Sequence, residues 1–138
     1  MTKSVLVIYL LLVLTSLFFH KLIFNFNQIV YPASDILYQA YGERLLFSNS
    51  IFAYHSLPFW NPYVFGGSPF LGNPTSIMFY PLNLIFLLFP IASTFGYIFA
   101  IDSFLLGVFT YLYARTIKID RFGSLFSSIA IMFSGPMI

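Results

Sequence analysis

From Leu45 to Ile101 the chain carries not one Asp, Glu, Lys or Arg, and from Ser4 to His20 it carries none either. A soluble domain cannot be built on such stretches, because roughly a quarter of the residues of an ordinary globular protein are charged and its surface needs them. Here 7% are charged and 59% are hydrophobic. A lipid bilayer is the natural solvent for such a sequence. The net charge of +2 is too small and too scattered for the basic face that nucleic acid requires, so no nucleic-acid partner is expected. The absence of cysteine removes disulfides, thiolate chemistry and Cys-based metal sites.

Val5 to Phe24 is almost wholly apolar, and about 20 residues at ~1.5 Å rise cover the ~30 Å hydrocarbon core. This predicts a first spanning helix. A cleaved signal peptide competes, since Lys3 precedes the apolar run, but the large Leu17, Phe18 and Phe19 stand where small cleavage-site residues belong. A second span is expected over Phe95 to Ala114. Arg115, Lys118 and Arg121 follow it directly, with Asp120 opposing them, which marks that turn as cytoplasmic. The amino terminus with Lys3 then lies inside as well, and Asn25 to Thr94 lies outside; Lys21 at the outer end is a mild dissent. A third apolar run begins at Phe122 and is still running at Ile138, without a polar flank. The expected class is therefore an all-α integral membrane protein of the plasma membrane, multi-pass, with three transmembrane helices and a long outer loop. Its boundaries are 1–24 (first helix), 25–94 (outer loop), 95–114 (second helix), 115–121 (cytoplasmic turn) and 122–138 (third helix, truncated).

The outer segment holds seven of the eight prolines and four of the eight glycines, so it cannot be one continuous helix. It is also too apolar for a floppy linker, and short interfacial helices suit it. Ser34 can cap a helix running to about Phe47, with Asp35 in its first turn. On that helix Ile36, Leu37, Ala40, Tyr41 and Phe47 share one side and Asp35, Gln39 and Glu43 line another, with Arg44 on the apolar side, reaching toward headgroups. Glu43 is expected to be solvated. From Leu57 to Pro74 the sequence LPFWNPYVFGGSPFLGNP predicts an ordered aromatic loop. Pro81 then opens a short apolar helix, PLNLIFLLF, ended by Pro90 and too short to span.

An Asp after the first membrane helix, then FWNPYVFGGSPFLGNP and FYPLN, then YLYARTIKIDRFGSLFSSIAIMFSG, resemble the bacterial YfhO-like family of GT-C membrane glycosyltransferases. The WNP and GGSPFLGNP portions are the specific part of the likeness. It implies a GT-C-like amino-terminal fragment of a longer enzyme, whose later helices help to enclose a polyprenyl-phosphate sugar donor. His55-Ser56 ahead of Leu57-Pro58 departs from the family pattern, where a glycine turn is expected.

In the architecture so implied, an acidic residue of the first outer loop faces the active site, and Asp35 is the matching position. A carboxylate there can orient the acceptor hydroxyl and take its proton as the glycosidic bond forms; the plain alternative is a helix-start aspartate. The leaving phosphate gathers negative charge and would be steadied by a cation, for which Arg44 and His55 are the outer candidates besides Lys21. Trp60 and Asn61 of the WNP portion are expected at the substrate. Trp60, Tyr63, Phe65 and Phe70 either stack on a sugar face or lipid chain or form an interfacial aromatic belt. Asp102, within the second helix, either lines a substrate path or lies near the outer interface and reaches water. No metal-ligand spacing, phosphate-cradling glycine loop or Ser-His-Asp set is visible, and neither a cofactor nor a metal is expected. The implied partners are membrane lipid, a polyprenyl-phosphate sugar donor and a cell-surface polymer acceptor. Two other classes stay open: a non-catalytic membrane subunit or degenerate fragment, and a transporter fragment with Asp102 as its coupling residue.

Overall fold

The computed structural model of the chain describes residues 2–24 and 36–134. These are mostly helical and fall into two compact units, Met1–Asn25 with Gly96–Ile138, and Phe26–Phe95.

In the first unit the expected helix over Val5 to Phe24 is broken into α1 (Thr2–Phe18) and α2 (His20–Phe24). The break at Phe19 has a local cause. The Thr15 hydroxyl donates to the Leu11 carbonyl at 2.8 Å and the Ser16 hydroxyl to that of Leu12 at 2.9 Å, a back-bonding that bends helices. Alone, α1 rises only about 26 Å, short of the ~30 Å hydrocarbon core. By contrast α4 (Ile91–Thr116) has 26 residues and is the one helix among the described residues long and apolar enough to cross a membrane. It starts earlier than Phe95 because Pro90 sets its beginning; the Pro90 carbonyl accepts from Thr94 Oγ1 at 2.9 Å. The third apolar run forms α5 (Arg121–Met132), 12 residues long, whose N-cap Asp120 accepts from the backbone N–H of Phe122 at 3.1 Å and of Gly123 at 3.3 Å. One helix of spanning length, not three, is thus present among the described residues.

Leu11, Tyr111 and Met132, each fully buried, form this unit's core, with Val7, Phe104, Val108, Leu125 and Ile129 packed around them. Gly107 makes the close approach possible, since a Cβ there would sit 2.1 Å from Met132 Sδ. Beside this apolar core, small polar side chains are buried and large apolar ones exposed. On α5 the serines at 124 and 128 are fully buried, while Phe122 and Phe126 are 85% and 76% exposed. On α1 the buried stripe is only Leu11 and Thr15, and Val5, Leu6, Tyr9 and Leu17 all face outward. The inward hydroxyls cost little, because they bond within the helices, Ser128 to the Ser124 carbonyl at 2.7 Å and Ser124 to that of Asp120 at 2.7 Å.

In the second unit the first described element is a π-helical turn (Ile36–Ala40) that runs into α3 (Tyr41–Tyr54). The helix passes the expected end near Phe47 because no proline or glycine intervenes, and because Phe47 and Ile51, one turn apart, both serve the core. That core is Phe47, Phe70 and Met78. α3 ends at His55, whose φ of 50° is left-handed, and the N–H of the following Ser56 bonds the Ser50 carbonyl at 3.1 Å.

The aromatic loop is a small hairpin. β1 (Trp60–Asn61) pairs antiparallel with β2 (Ser68–Pro69), Trp60 opposite Pro69 and Asn61 opposite Ser68. Phe70 beyond it is 1% exposed and ties the hairpin to the core. The Trp60 ring lies against Gly67, where φ is 121° and a Cβ would come within 2.6 Å of the indole. Gly67→Ala should therefore push the ring off and weaken the hairpin by about 1–3 kcal/mol. As Trp60 is the only tryptophan, a red-shifted emission of the variant would report this, and an unchanged spectrum would refute it. Short 3-10 turns, Pro74–Ser76 and Pro81–Leu87, complete the unit.

Candidate functional site

The polar residues of the second unit converge where α3 meets the turn at Pro74–Ser76. Asn73 is the N-cap of that turn, accepting from the Thr75 N–H at 3.1 Å, and Pro74 takes the first helical position, where its missing N–H costs nothing. This geometry presents Asn73 Nδ2 and Thr75 Oγ1 to Glu43 of α3, whose Oε1 accepts from both, at 2.9 and 2.8 Å. Gln39, one turn earlier, donates to Thr75 Oγ1 at 2.8 Å. Beside it, the Arg44 guanidinium donates to the Ser76 carbonyl and stands 5.6 Å from the centre of the Phe86 ring.

Glu43 is 4% exposed and Arg44 5%. This corrects the expectation that Glu43 is solvated and Arg44 interfacial. Residues 36–40, expected to be part of an α-helix, form a π-helical turn, and Glu43 faces the Pro74–Ser76 turn rather than water. Burial pushes the Arg44 guanidinium below its ordinary range, and the adjacent Glu43 carboxylate acts the other way. Holding a charged arginine here therefore costs the fold something, and it is offset by specific bonds. Glu43 Oε2 and Arg44 Nε have no hydrogen-bond partner among the described residues.

An open groove of about 400 Å³ runs beside this node, lined by Leu71, Asn73, Pro74, Ser76, Met78 and Tyr80 among others. One edge, Asn73 and Ser76, is held by Glu43 and Arg44; the rest is apolar. Such a surface can take a molecule with one polar end and one greasy or ring-faced side, with the node fixing the shape of the wall rather than reaching the ligand itself.

The residues singled out from sequence are distributed as follows. Asp35, together with Ser34, lies outside the described residues. Arg44 belongs to the node. His55 is exposed at the end of α3 in a left-handed conformation, the backbone state for which a glycine is the usual residue. Trp60 is 56% exposed with its ring on Gly67. Asn61 is buried, its Oδ1 accepting from the Tyr63 N–H at 3.0 Å, which commits it to shaping the turn. Asp102 is half-buried and lies about two residues from the middle of the 26-residue α4. Gln39, Glu43, Asn73 and Thr75 were not expected to form a node. Asn73-Pro74, an N-cap followed by proline, was the available local signal for half of it.

No protein-family model matches this chain, and no curated protein and no solved structure matches it either.

Proposed function

We propose that this chain is the amino-terminal part of a multi-pass plasma-membrane glycosyltransferase of the GT-C type, which moves a sugar from a polyprenyl-phosphate donor to a cell-surface acceptor. The single observation that supports the membrane part is the reversed burial of α5, with serines inward and phenylalanines outward. In water that arrangement exposes apolar surface at roughly 25 cal/mol per Å², whereas against lipid chains it costs nothing. With α1 and α2 taken together as one bent span, and α5 as the described part of a third, the reading has three membrane helices, α4 being the second. The chemistry rests on the resemblance of the WNP and GGSPFLGNP portions and on the position of Asp35 at the head of the outer segment. In this reading Asp35 is the base, His55 and Trp60 are the exposed candidates for substrate contact, and Arg44 and Asn61 position the groove and hairpin. The chain alone, lacking the helices that enclose the donor, is expected to transfer no sugar.

Topology is tested most directly, because the chain has no cysteine to confuse labelling. Single cysteines are placed at Asn49, exposed on α3, and at Lys118, exposed between α4 and α5. In intact cells an impermeant thiol reagent should label position 49 and spare position 118. The opposite pattern would invert the orientation, and labelling at both positions would remove the single crossing between them.

A further inference from the structure

We propose that the tip of the β1–β2 hairpin, Tyr63-Val64-Phe65, is a wedge that seats in the interfacial layer of the bilayer on its own side of the membrane. The inference rests on the membrane reading above and deepens it.

Phe65 is 98% exposed and Tyr63 83%. A phenylalanine left wholly in water forgoes about 1.5–3 kcal/mol of burial. Phe65 also holds a φ of 54°, a left-handed state that costs a bulky L-residue about 1–2 kcal/mol. Glycine, which adopts that state freely, occupies the next two positions and not this one. The tip thus carries two costs that nothing among the described residues of the unit offsets.

The base beneath it is firmly built. Gly67 N–H bonds the Val64 carbonyl at 2.9 Å and closes the turn, Phe70 N–H bonds the Phe59 carbonyl at 2.8 Å, Asn61 holds the Tyr63 N–H, and the indole fills the space over Gly67. A rigid mount bearing an apolar point is suited to entering a surface, since little ordering entropy is lost when it does.

Lipid is the occupant that the surroundings favour. No formal charge lies between Leu45 and Ile101, so the hairpin itself carries no acidic or basic side chain with which to orient a protein partner. The aromatic residues with a polar atom, Trp60 and Tyr63, precede the purely apolar Val64 and Phe65, the order in which side chains meet an interface and then hydrocarbon. The chain continues from the hairpin into α4, the one helix of spanning length among the described residues. The hairpin is therefore tethered to a membrane-crossing element, which keeps its effective concentration at the surface high.

The test uses the full chain reconstituted into vesicles of phosphatidylcholine with a minority of phosphatidylglycerol. Environment-sensitive fluorophores are attached to single cysteines replacing Phe65, Asn49 on α3, or Phe109, which is 62% exposed on α4. Quenching is read with aqueous iodide and with lipids carrying a doxyl group near the headgroup. The position 65 probe should show about twofold stronger lipid quenching than position 49, with weak iodide quenching. If position 65 reads as aqueous while position 109 reads as lipid, the wedge is overturned and the membrane reading stands. If both read as aqueous, the membrane reading fails and takes the wedge with it. Protection of position 65 from both quenchers means that protein covers the tip, which also overturns the inference. A second variant guards against misfolding: Phe65→Gly relieves the left-handed strain, so the hairpin should persist, while quenching of Trp60 by brominated lipid should fall about twofold. Unchanged Trp60 quenching counts against the wedge.

Discussion

Arg44→Met is expected to destabilise the second unit by about 3 kcal/mol or more, enough to unfold it in most membrane preparations, even though no ligand contact is removed. The methionine fills much the same length but cannot donate to the Ser76 carbonyl, and it leaves the Glu43 carboxylate buried without its neighbouring cation. The cost comes from an uncompensated buried charge more than from one lost bond. Because burial already holds the Arg44 guanidinium below its usual range, the charged pair is dear to the folded state, and removing both charges should be far milder than removing one. The double variant Glu43→Gln with Arg44→Met, which keeps an amide oxygen for Asn73 and Thr75, should recover most of the loss. Protease susceptibility between residues 55 and 90 in purified, detergent-held protein measures both. An Arg44→Met chain as resistant as the parent would show that the node does not anchor α3.

The other large effect concerns turnover. On the proposed function, Asp35→Asn in the full-length enzyme is expected to lower sugar transfer by a factor of about 10² or more while donor binding survives, because the amide keeps size and hydrogen bonding but cannot accept the acceptor's proton. From sequence alone Glu43 is the natural dispensable control, a second carboxylate about two helical turns away. Its burial changes that comparison: Glu43→Ala removes the acceptor for Asn73 and Thr75 and should lower the amount of folded protein. The proper control is Glu43→Gln, which preserves those bonds, with transfer normalised to folded enzyme. Transfer per folded molecule should then stay near the parent's for Glu43→Gln and collapse for Asp35→Asn. Equal losses, or near-normal turnover in Asp35→Asn, would remove Asp35 from the mechanism.

The starts of the helical pieces depend on neighbours in the chain. Pro81 is legible as the opening of its short turn, whereas Pro90 before α4 and Asp120 before α5 mark starts by the same local chemistry but go unused in the expected boundaries, which begin the second helix only at Phe95 and the third at Phe122. The break at Phe19 was carried by equally local residues, Thr15 and Ser16, but the apolar run hid them, since hydropathy records solvent preference and says nothing of hydroxyls that bond back to the helix.

The amino-acid sequence by itself determined the punctuation and set the expectation of a lipid solvent: two charge-free stretches lead to that expectation, and prolines and glycines divide the segment between the first two expected helices into short pieces. Only the tertiary structure decided which way each face turns. Gln39, Glu43 and Arg44 look like a helix surface until Asn73, Thr75 and Ser76, some 30 residues on, arrive to bond them. Ser124 and Ser128 look unremarkable until α5 lays them inward and its phenylalanines outward. Gly67 reads as one of two turn glycines until the indole of Trp60 closes over it. Helical periodicity states which residues share a side, but burial is set by what arrives from elsewhere in the chain and by whether water or hydrocarbon lies beyond, and neither quantity is local.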